Sequence, residues 1–155
     1  MDKSREKGLQ DFVAEAEDLL EALAEDVETA QSQFEEKKKV RPDLVNKVFR
    51  EMHSLKGLAS MFGLERITAL SHDAESLLDK TRLGKVAFSP ELFTLLGEVR
   101  HLLHTLVGEA AQGAEKSGVE ALKARIAGFG AAPAPPEATP GLGLDEQTLK
   151  SLTEY

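Results

Sequence analysis

Cysteine and tryptophan are absent from this chain of 155 residues, and aromatic residues make up only 5% of it. The lack of cysteine excludes disulfides, thiol catalysis and cysteine-based zinc sites, and it is compatible with a reducing compartment. No apolar run approaches the roughly 18 to 20 residues that span a bilayer, and the charged N-terminus lacks the pattern of a signal peptide. We therefore expect a cytoplasmic protein without membrane insertion.

Positive charge is also scarce, with 19 Lys and Arg against 27 Asp and Glu, and a formal net charge of -8. Nucleic-acid binding depends on clustered cations that release counterions from phosphates, so this balance argues against a nucleic-acid partner. Hydrophobic residues form 41% of the chain, enough for a single core. With so few aromatics that core must be largely aliphatic, which favours an all-α fold.

Apolar residues recur every three or four positions in several stretches, as in amphipathic helices. The four long stretches cover residues 9–34, 44–62, 64–78 and 92–107. Gly63 is expected to end the second helix, Arg82 lies among cations at the negative end of the third, and Ser89 with Pro90 marks the start of the fourth. A shorter helix follows over about 118–129. The short connections predict an antiparallel up-and-down four-helix bundle with an additional C-terminal helix.

The composition changes after Phe129, where residues 131–143 are rich in Pro, Ala and Gly. Such a segment cannot form a core and is predicted to be a semi-extended linker. Residues 144–155 form a short tail, for which a helical docking segment and a disordered end are both open interpretations. We therefore place the folded domain at residues 1–130.

The second predicted helix contains the segment Met-His-Ser-Leu-Lys-Gly at residues 52–57. At about 100° per residue, His53 falls more than a quarter turn from the centre of the apolar stripe, so we expect it to face outward. Lys56 is its neighbour one turn later. Gly57 lies inside the helix at a cost of about 1 kcal/mol relative to Ala, which would suit the close approach of another molecule. A solvated histidine beside a tolerated glycine explains these residues equally well.

The third predicted helix brings two more polar residues into range. If it forms an antiparallel hairpin with the second helix around Gly63, His72 and Glu75 come level with His53. We expect Glu75 to be exposed. A carboxylate that accepts the proton of one imidazole nitrogen leaves the other nucleophilic, and Glu75 suits that role. An ammonium group such as that of Lys56 would offset the charge of an arriving phosphoryl group, and His72 would add a hydrogen bond.

Two other interpretations remain open. The first is a zinc site made by the two histidines and the glutamate, although Lys56 beside them would repel the cation. His101 and His104, three residues apart on the fourth helix, are another possible metal pair, but a solvated helix face explains them more simply. The second interpretation is a non-catalytic helical adaptor, in which the acidic first helix and the tail bind a partner and His53 is incidental.

Residues 49–64 and 70–79 together resemble the histidine phosphotransfer (HPt) domain, in particular the N-terminal HPt domain of the chemotaxis histidine kinase CheA family. The HSLKG core, the Phe-Gly turn, the downstream His-x-x-Glu and the Leu-Leu-Asp ending all occur in order. With the helical pattern, the resemblance covers roughly residues 9–129. Leu58 and Met61 stand where smaller or polar residues are common in the family, a difference that would affect receiver docking.

The resemblance implies that His53 is the phosphoacceptor and that Lys56, His72 and Glu75 surround it. It also implies two partners, an ATP-binding histidine kinase domain that donates the phosphoryl group and a response-regulator receiver domain whose aspartate accepts it. The chain has no Gly-rich nucleotide loop. We therefore expect a monomeric phosphocarrier domain, part of a histidine kinase, with ATP and Mg²⁺ bound by the partner kinase domain and receiver.

Overall fold

The computed structural model describes residues 3–131, with side chains over residues 7–129. These residues form five α-helices and no strand, which confirms the predicted all-α class. The helices are α1 Lys3–Lys37, α2 Pro42–Met61, α3 Glu65–Arg82, α4 Pro90–Ala111 and α5 Glu120–Ala131. None of the helices in this part of the chain is both long and apolar enough to cross a membrane. The predicted linker and tail lie outside the described residues, apart from residue 131 at the end of α5.

The first four helices pack around one aliphatic core. Helix α1 packs against α2 and α4, α3 also packs against both of them, and α5 covers α3 and α4. Phe12 and Phe62 meet at one end of the core with ring centroids 5.4 Å apart, and Phe34 and Phe93 meet at the other end at 5.7 Å. The predicted bundle with an additional C-terminal helix is therefore confirmed.

A glycine turn sets the pairing of α2 with α3. Gly63 has a φ of 69°, a left-handed conformation that glycine adopts without the steric cost of a Cβ atom. Around it, the backbone N–H groups of Phe62 and Leu64 donate to the carbonyl of Ala59, both at 3.1 Å. This closure of α2 sends α3 back along it, so that residues at similar distances from Gly63 come level.

The N-terminus of α3 is capped from a distant part of the chain. Its N-cap residue, Leu64, has no side chain able to accept the free helical N–H groups. Glu115, in the connection between α4 and α5, accepts from the backbone N–H of Arg66 at 3.0 Å and of Ile67 at 2.7 Å. The Arg66 guanidinium also donates to the carbonyl of Ser117 at 3.0 Å. These contacts fix α3 against the segment that leads into α5.

A polar cluster joins α1 to α2 on another face of the bundle. The Lys47 ammonium lies 2.5 Å from Asp26 Oδ2 and 3.1 Å from Glu51 Oε2. Burial, together with a hydrogen bond to the Asp26 carboxyl, raises the pKa of Glu51 to about 7. The pKa of Asp26 is lowered despite its own burial, because Glu51 and Lys47 both hydrogen-bond to it. Of the two carboxyls, Glu51 is therefore the one that is protonated at the higher pH.

The distant cap of α3 is open to a direct test. Replacing Glu115 with Ala removes the acceptor for two helical N–H groups and a negative charge at the positive end of the helix dipole. We expect the free energy of unfolding to fall by about 1 to 2 kcal/mol, measured by urea denaturation. Glu28→Ala, at an exposed position of α1, is the matched control. Equal unfolding midpoints for the two variants would contradict the capping role.

Candidate functional site

His53 lies on the outer surface of α2, and its side chain is 61% exposed. Its Nδ1 atom is 2.5 Å from Oε2 of Glu75 on α3. Because a carboxylate only accepts hydrogen bonds, the Nδ1 atom carries the proton in this contact. In the neutral imidazole the lone pair is then on Nε2, which is the arrangement expected of a nucleophilic histidine.

Glu75 is buried, with a relative exposure of 9%, so the expectation that it is exposed is wrong. On α3 it has buried neighbours one turn away on either side, Ser71 and Leu78, and its carboxylate reaches across to α2. There it meets two donors, His53 at Oε2 and the Lys56 ammonium 2.6 Å from Oε1. A buried carboxylate requires such partners, since an unpaired one is strongly unfavourable.

The two donors also decide the charge of Glu75. Burial alone would raise the pKa of this carboxyl, but the hydrogen bonds from Lys56 and His53 outweigh it and hold the pKa below its ordinary value of 4.5. Glu75 is therefore ionised at neutral pH. It can therefore accept a hydrogen bond from the Nδ1–H group of His53 throughout the pH range in which a neutral histidine reacts.

Lys56 lies one turn after His53 on α2, and its side chain is only 25% exposed. Its ammonium is held by Glu75, which keeps a long flexible side chain beside the imidazole. A cation fixed in this way can stabilise negative charge that develops near the histidine without reorganising during a reaction. The structure thus brings together three of the four residues singled out in the sequence.

His72 occupies a different position. Its side chain is 62% exposed, and its Nδ1 atom lies 3.2 Å from Oδ1 of Asp73. In the described part of the chain, no hydrogen bond joins it to the three clustered side chains. Glu75 is three residues further along α3 and projects towards α2, whereas His72 projects further outward. A role for His72 in the site stays a prediction.

A groove of about 710 Å³ adjoins the cluster. Lys56, Gly57 and His72 line it, and Lys123 of α5 stands at its side. A Cβ atom placed on Gly57 would meet no atom within 4 Å among the described residues. Packing within the chain therefore does not require glycine at this position. Its missing side chain instead leaves the surface beside His53 open to another molecule.

Two contacts near the histidine were not predicted from the sequence, one made by His53 itself and one made by the ring beside it. The Phe49 ring is stacked with the His53 imidazole, with centroids 6.4 Å apart and planes 14° from parallel. The Arg82 guanidinium lies 4.9 Å from the centroid of the Phe49 ring. The sequence pattern places Phe49 within the apolar stretch of residues 44–62 and Arg82 at a helix end. The spacing of the two residues could have indicated the first contact, because Phe49 precedes His53 by one helical turn.

The zinc interpretation gains no support from this geometry. Within the residues that the structure describes, no group of three or more His, Asp or Glu side chains is arranged to hold a metal ion. The proposed ligand Glu75 is already occupied by Lys56, which would compete with a metal for the carboxylate. His101 and His104 are exposed on α4, as expected for a solvated helix face.

Comparison with known proteins gives a family assignment. Residues 7–107 match the family model for the Hpt domain. The chain belongs to the Hpt domain family. The predicted resemblance is thereby confirmed, and the chain is a histidine phosphotransfer domain.

Similarity to individual proteins agrees with the Hpt assignment. The chain is 34% identical over 109 residues to the chemotaxis protein CheA of Cereibacter sphaeroides, over 70% of this chain and 16% of that protein. It is 29% identical over 99 residues to the sensor histidine kinase CheAY of Helicobacter pylori, over 64% of this chain and 12% of that protein. A Listeria monocytogenes CheA is 27% identical over 104 residues, 67% of this chain and 16% of its own length. The matched region thus spans only 12% to 16% of these relatives.

The lowered pKa of Glu75 predicts how stability depends on pH. An ionised, paired carboxylate stabilises the fold at pH values above the pKa that it has in the unfolded chain. This contribution is lost as the pH falls through the lower pKa that it has in the folded protein. Above pH 5, we expect the free energy of unfolding of wild type to be about 1 to 2 kcal/mol higher than that of Glu75→Gln. This difference should shrink as the pH is lowered towards pH 3. Urea denaturation across this range measures it.

The control for this measurement is Glu98→Gln. Glu98 is paired with Arg125 on the exposed surface, and this partner likewise lowers its pKa. Because solvent screens exposed ion pairs, we expect a smaller change in stability for this variant. A difference between wild type and Glu75→Gln that does not vary with pH would contradict the electrostatic account of the site.

Proposed function

We propose that His53 accepts a phosphoryl group from the ATP-binding domain of a histidine kinase and passes it to an aspartate of a response-regulator receiver. The observation that carries this proposal is the contact of the His53 Nδ1 atom with the ionised Glu75 carboxylate, at 2.5 Å on an exposed helix face. It leaves the opposite ring nitrogen as the nucleophile and the imidazole accessible to another protein. Membership of the Hpt domain family supports the same chemistry.

The first transfer is a displacement at phosphorus. The lone pair of His53 Nε2 attacks the γ-phosphorus of ATP, the bond to the bridging oxygen breaks, and ADP leaves with that electron pair. Attack makes the imidazole ring positive, and Glu75 stabilises this charge through the Nδ1 proton. The Lys56 ammonium offsets negative charge on the phosphoryl oxygens.

The second transfer reverses the roles. A carboxylate oxygen of the receiver attacks the phosphorus, the P–N bond breaks, and its electron pair returns to Nε2. His53 is thereby restored as the neutral imidazole with its proton on Nδ1. The proton stays on Nδ1 throughout, and Glu75 accepts its hydrogen bond during both the loading and the unloading of the histidine.

The partners follow from this chemistry and from the relatives. Three proteins similar to the chain are named chemotaxis protein CheA or sensor histidine kinase CheAY, which supports a place in a chemotaxis-type kinase. ATP and Mg²⁺ would be bound by the kinase domain and the receiver. Since the donor is ATP, the relay would operate in the cytoplasm, with the bundle itself monomeric.

The decisive experiment removes the nucleophile. The full chain is incubated with a cognate kinase domain and radiolabelled ATP, and an acid-labile label is expected on wild type and on His72→Gln but not on His53→Gln. Label that persists on His53→Gln would overturn the assignment. The adaptor interpretation makes the opposite prediction, namely tight partner binding that neither phosphorylation nor loss of His53 affects.

A second experiment separates the two supporting residues. Glu75→Gln should slow phosphorylation of His53 roughly tenfold or more, because the amide no longer enforces the Nδ1 tautomer or stabilises the positive ring. Lys56→Gln should also slow it, while retaining the tautomer in the ¹⁵N NMR spectrum of His53. Initial rates are measured with Glu98→Gln as control. Unchanged rates for both site variants would show that His53 reacts without this cluster.

A further inference from the structure

The hydrogen bond to Glu75 fixes only part of the orientation of His53. A contact at the Nδ1 atom holds one edge of the ring, but the imidazole can still tilt about the line that joins Nδ1 to the carboxylate oxygen. Such a tilt would leave the hydrogen bond in place but turn the plane of the ring, and with it the direction in which the Nε2 lone pair points. Because the side chain is 61% exposed, much of the ring is surrounded by solvent, which does not fix its plane. A second contact is required to define the direction of the lone pair.

Phe49 supplies that second contact. It lies one turn before His53 on the same face of α2, and its ring is almost parallel to the imidazole, 14° away with centroids 6.4 Å apart. This separation is within the range of interacting aromatic pairs. Turning the imidazole out of this nearly parallel arrangement would weaken the interaction between the rings, so the pair opposes the tilt that the hydrogen bond permits.

Arg82 holds Phe49 from the neighbouring helix. Its guanidinium lies 4.9 Å from the Phe49 centroid, within the distance of a cation–π interaction. Arg82 also forms an ion pair with Asp79, one turn earlier on α3. Phe49 is itself only half-buried, so its ring orientation is not dictated by close packing on all sides. The ion pair on α3 therefore orders the aromatic ring that the histidine faces.

We propose that Phe49, held in place by Arg82, is a positioning residue that sets the plane of the His53 imidazole and thereby aims Nε2 for phosphoryl transfer. This inference rests on the proposed role of His53 as phosphoacceptor. Together with Glu75 it makes a two-point support, in which the carboxylate sets the tautomer and the aromatic ring sets the tilt.

The structure offers a matched control for this arrangement. At the far end of α1, Phe34 carries the Lys38 ammonium 5.5 Å from its ring centroid, and Phe34 is half-buried like Phe49. It contacts Phe93 instead of a histidine. Phe34→Leu therefore removes a comparable ring under a comparable cation, and it reports the general cost of losing a half-buried phenylalanine.

The test uses the full chain and two independent readouts. The first is the NMR spectrum of the four histidine rings, in which the His53 signals are assigned by their loss in His53→Gln. We expect Phe49→Leu to shift the His53 ring signals and to increase the motion of that ring, while His101 and His104 stay unchanged. Phe49→Tyr should restore the wild-type pattern, and Phe34→Leu should leave it unaltered.

The second readout is the rate of phosphorylation by the small donor phosphoramidate, which does not depend on docking of a kinase. We expect Phe49→Leu to slow labelling of His53 by roughly two- to tenfold, the factor that an aromatic pair is worth, with Arg82→Gln intermediate. Phe49→Tyr and Phe34→Leu should react at the wild-type rate.

The outcomes separate this inference from the proposed function. If wild type is labelled at His53 but Phe49→Leu matches Phe34→Leu in both ring signals and rate, Phe49 is only a packing residue and the inference is overturned. If Phe49→Leu alters the His53 ring but wild type takes up no label there, the positioning contact stands and the phosphoacceptor assignment fails. An equal loss of rate in Phe49→Leu and Phe49→Tyr would also overturn the inference.

Discussion

A buried carboxylate that must be neutralised from the neighbouring helix is the constraint on which this site depends. Glu75 lies at the α2–α3 boundary with 9% exposure, where an ionised group without partners would be strongly unfavourable. Both of its partners come from α2. The same interaction therefore sets the pairing of the two helices, the tautomer of His53 and the placement of the Lys56 ammonium. Lys56 supplies the countercharge and His53 a hydrogen bond, so loss of Lys56 would leave the charge of Glu75 uncompensated. This links the integrity of the bundle to the chemistry at its surface.

The position of Glu75 depends in turn on how α3 is held at its start. Gly63 reverses the chain with a φ of 69°, and Glu115 caps the first turn of α3 from the connection that leads to α5. A slip of α3 by one residue would turn Glu75 away from α2 by about 100°. The additional helix therefore contributes to the site indirectly, because the segment that precedes it fixes the register in which α3 presents its carboxylate.

Local signals allowed much of this structure to be predicted. The spacing of apolar residues predicted the helices, and similar distances from Gly63 predicted that His53 and Glu75 lie level. The predicted depth of Glu75 was wrong, because spacing along the chain distinguishes the faces of a helix but not how far a neighbouring helix covers them. The role of His72 stays a prediction. The cap by Glu115 joins residues 48 and 49 positions apart, and the Phe49 ring is apolar, so pattern analysis assigned it to the core.

The acidic pair at the α1–α2 boundary affects how pH titrations of this domain are interpreted. The pKa of Glu51 is about 7, so this group titrates in the range usually ascribed to an imidazole. Glu51 and His53 are two residues apart on α2 and project to roughly opposite sides of it. A measurement of proton uptake or of folding stability near neutrality would therefore contain the titration of a carboxyl group that takes no part in the transfer.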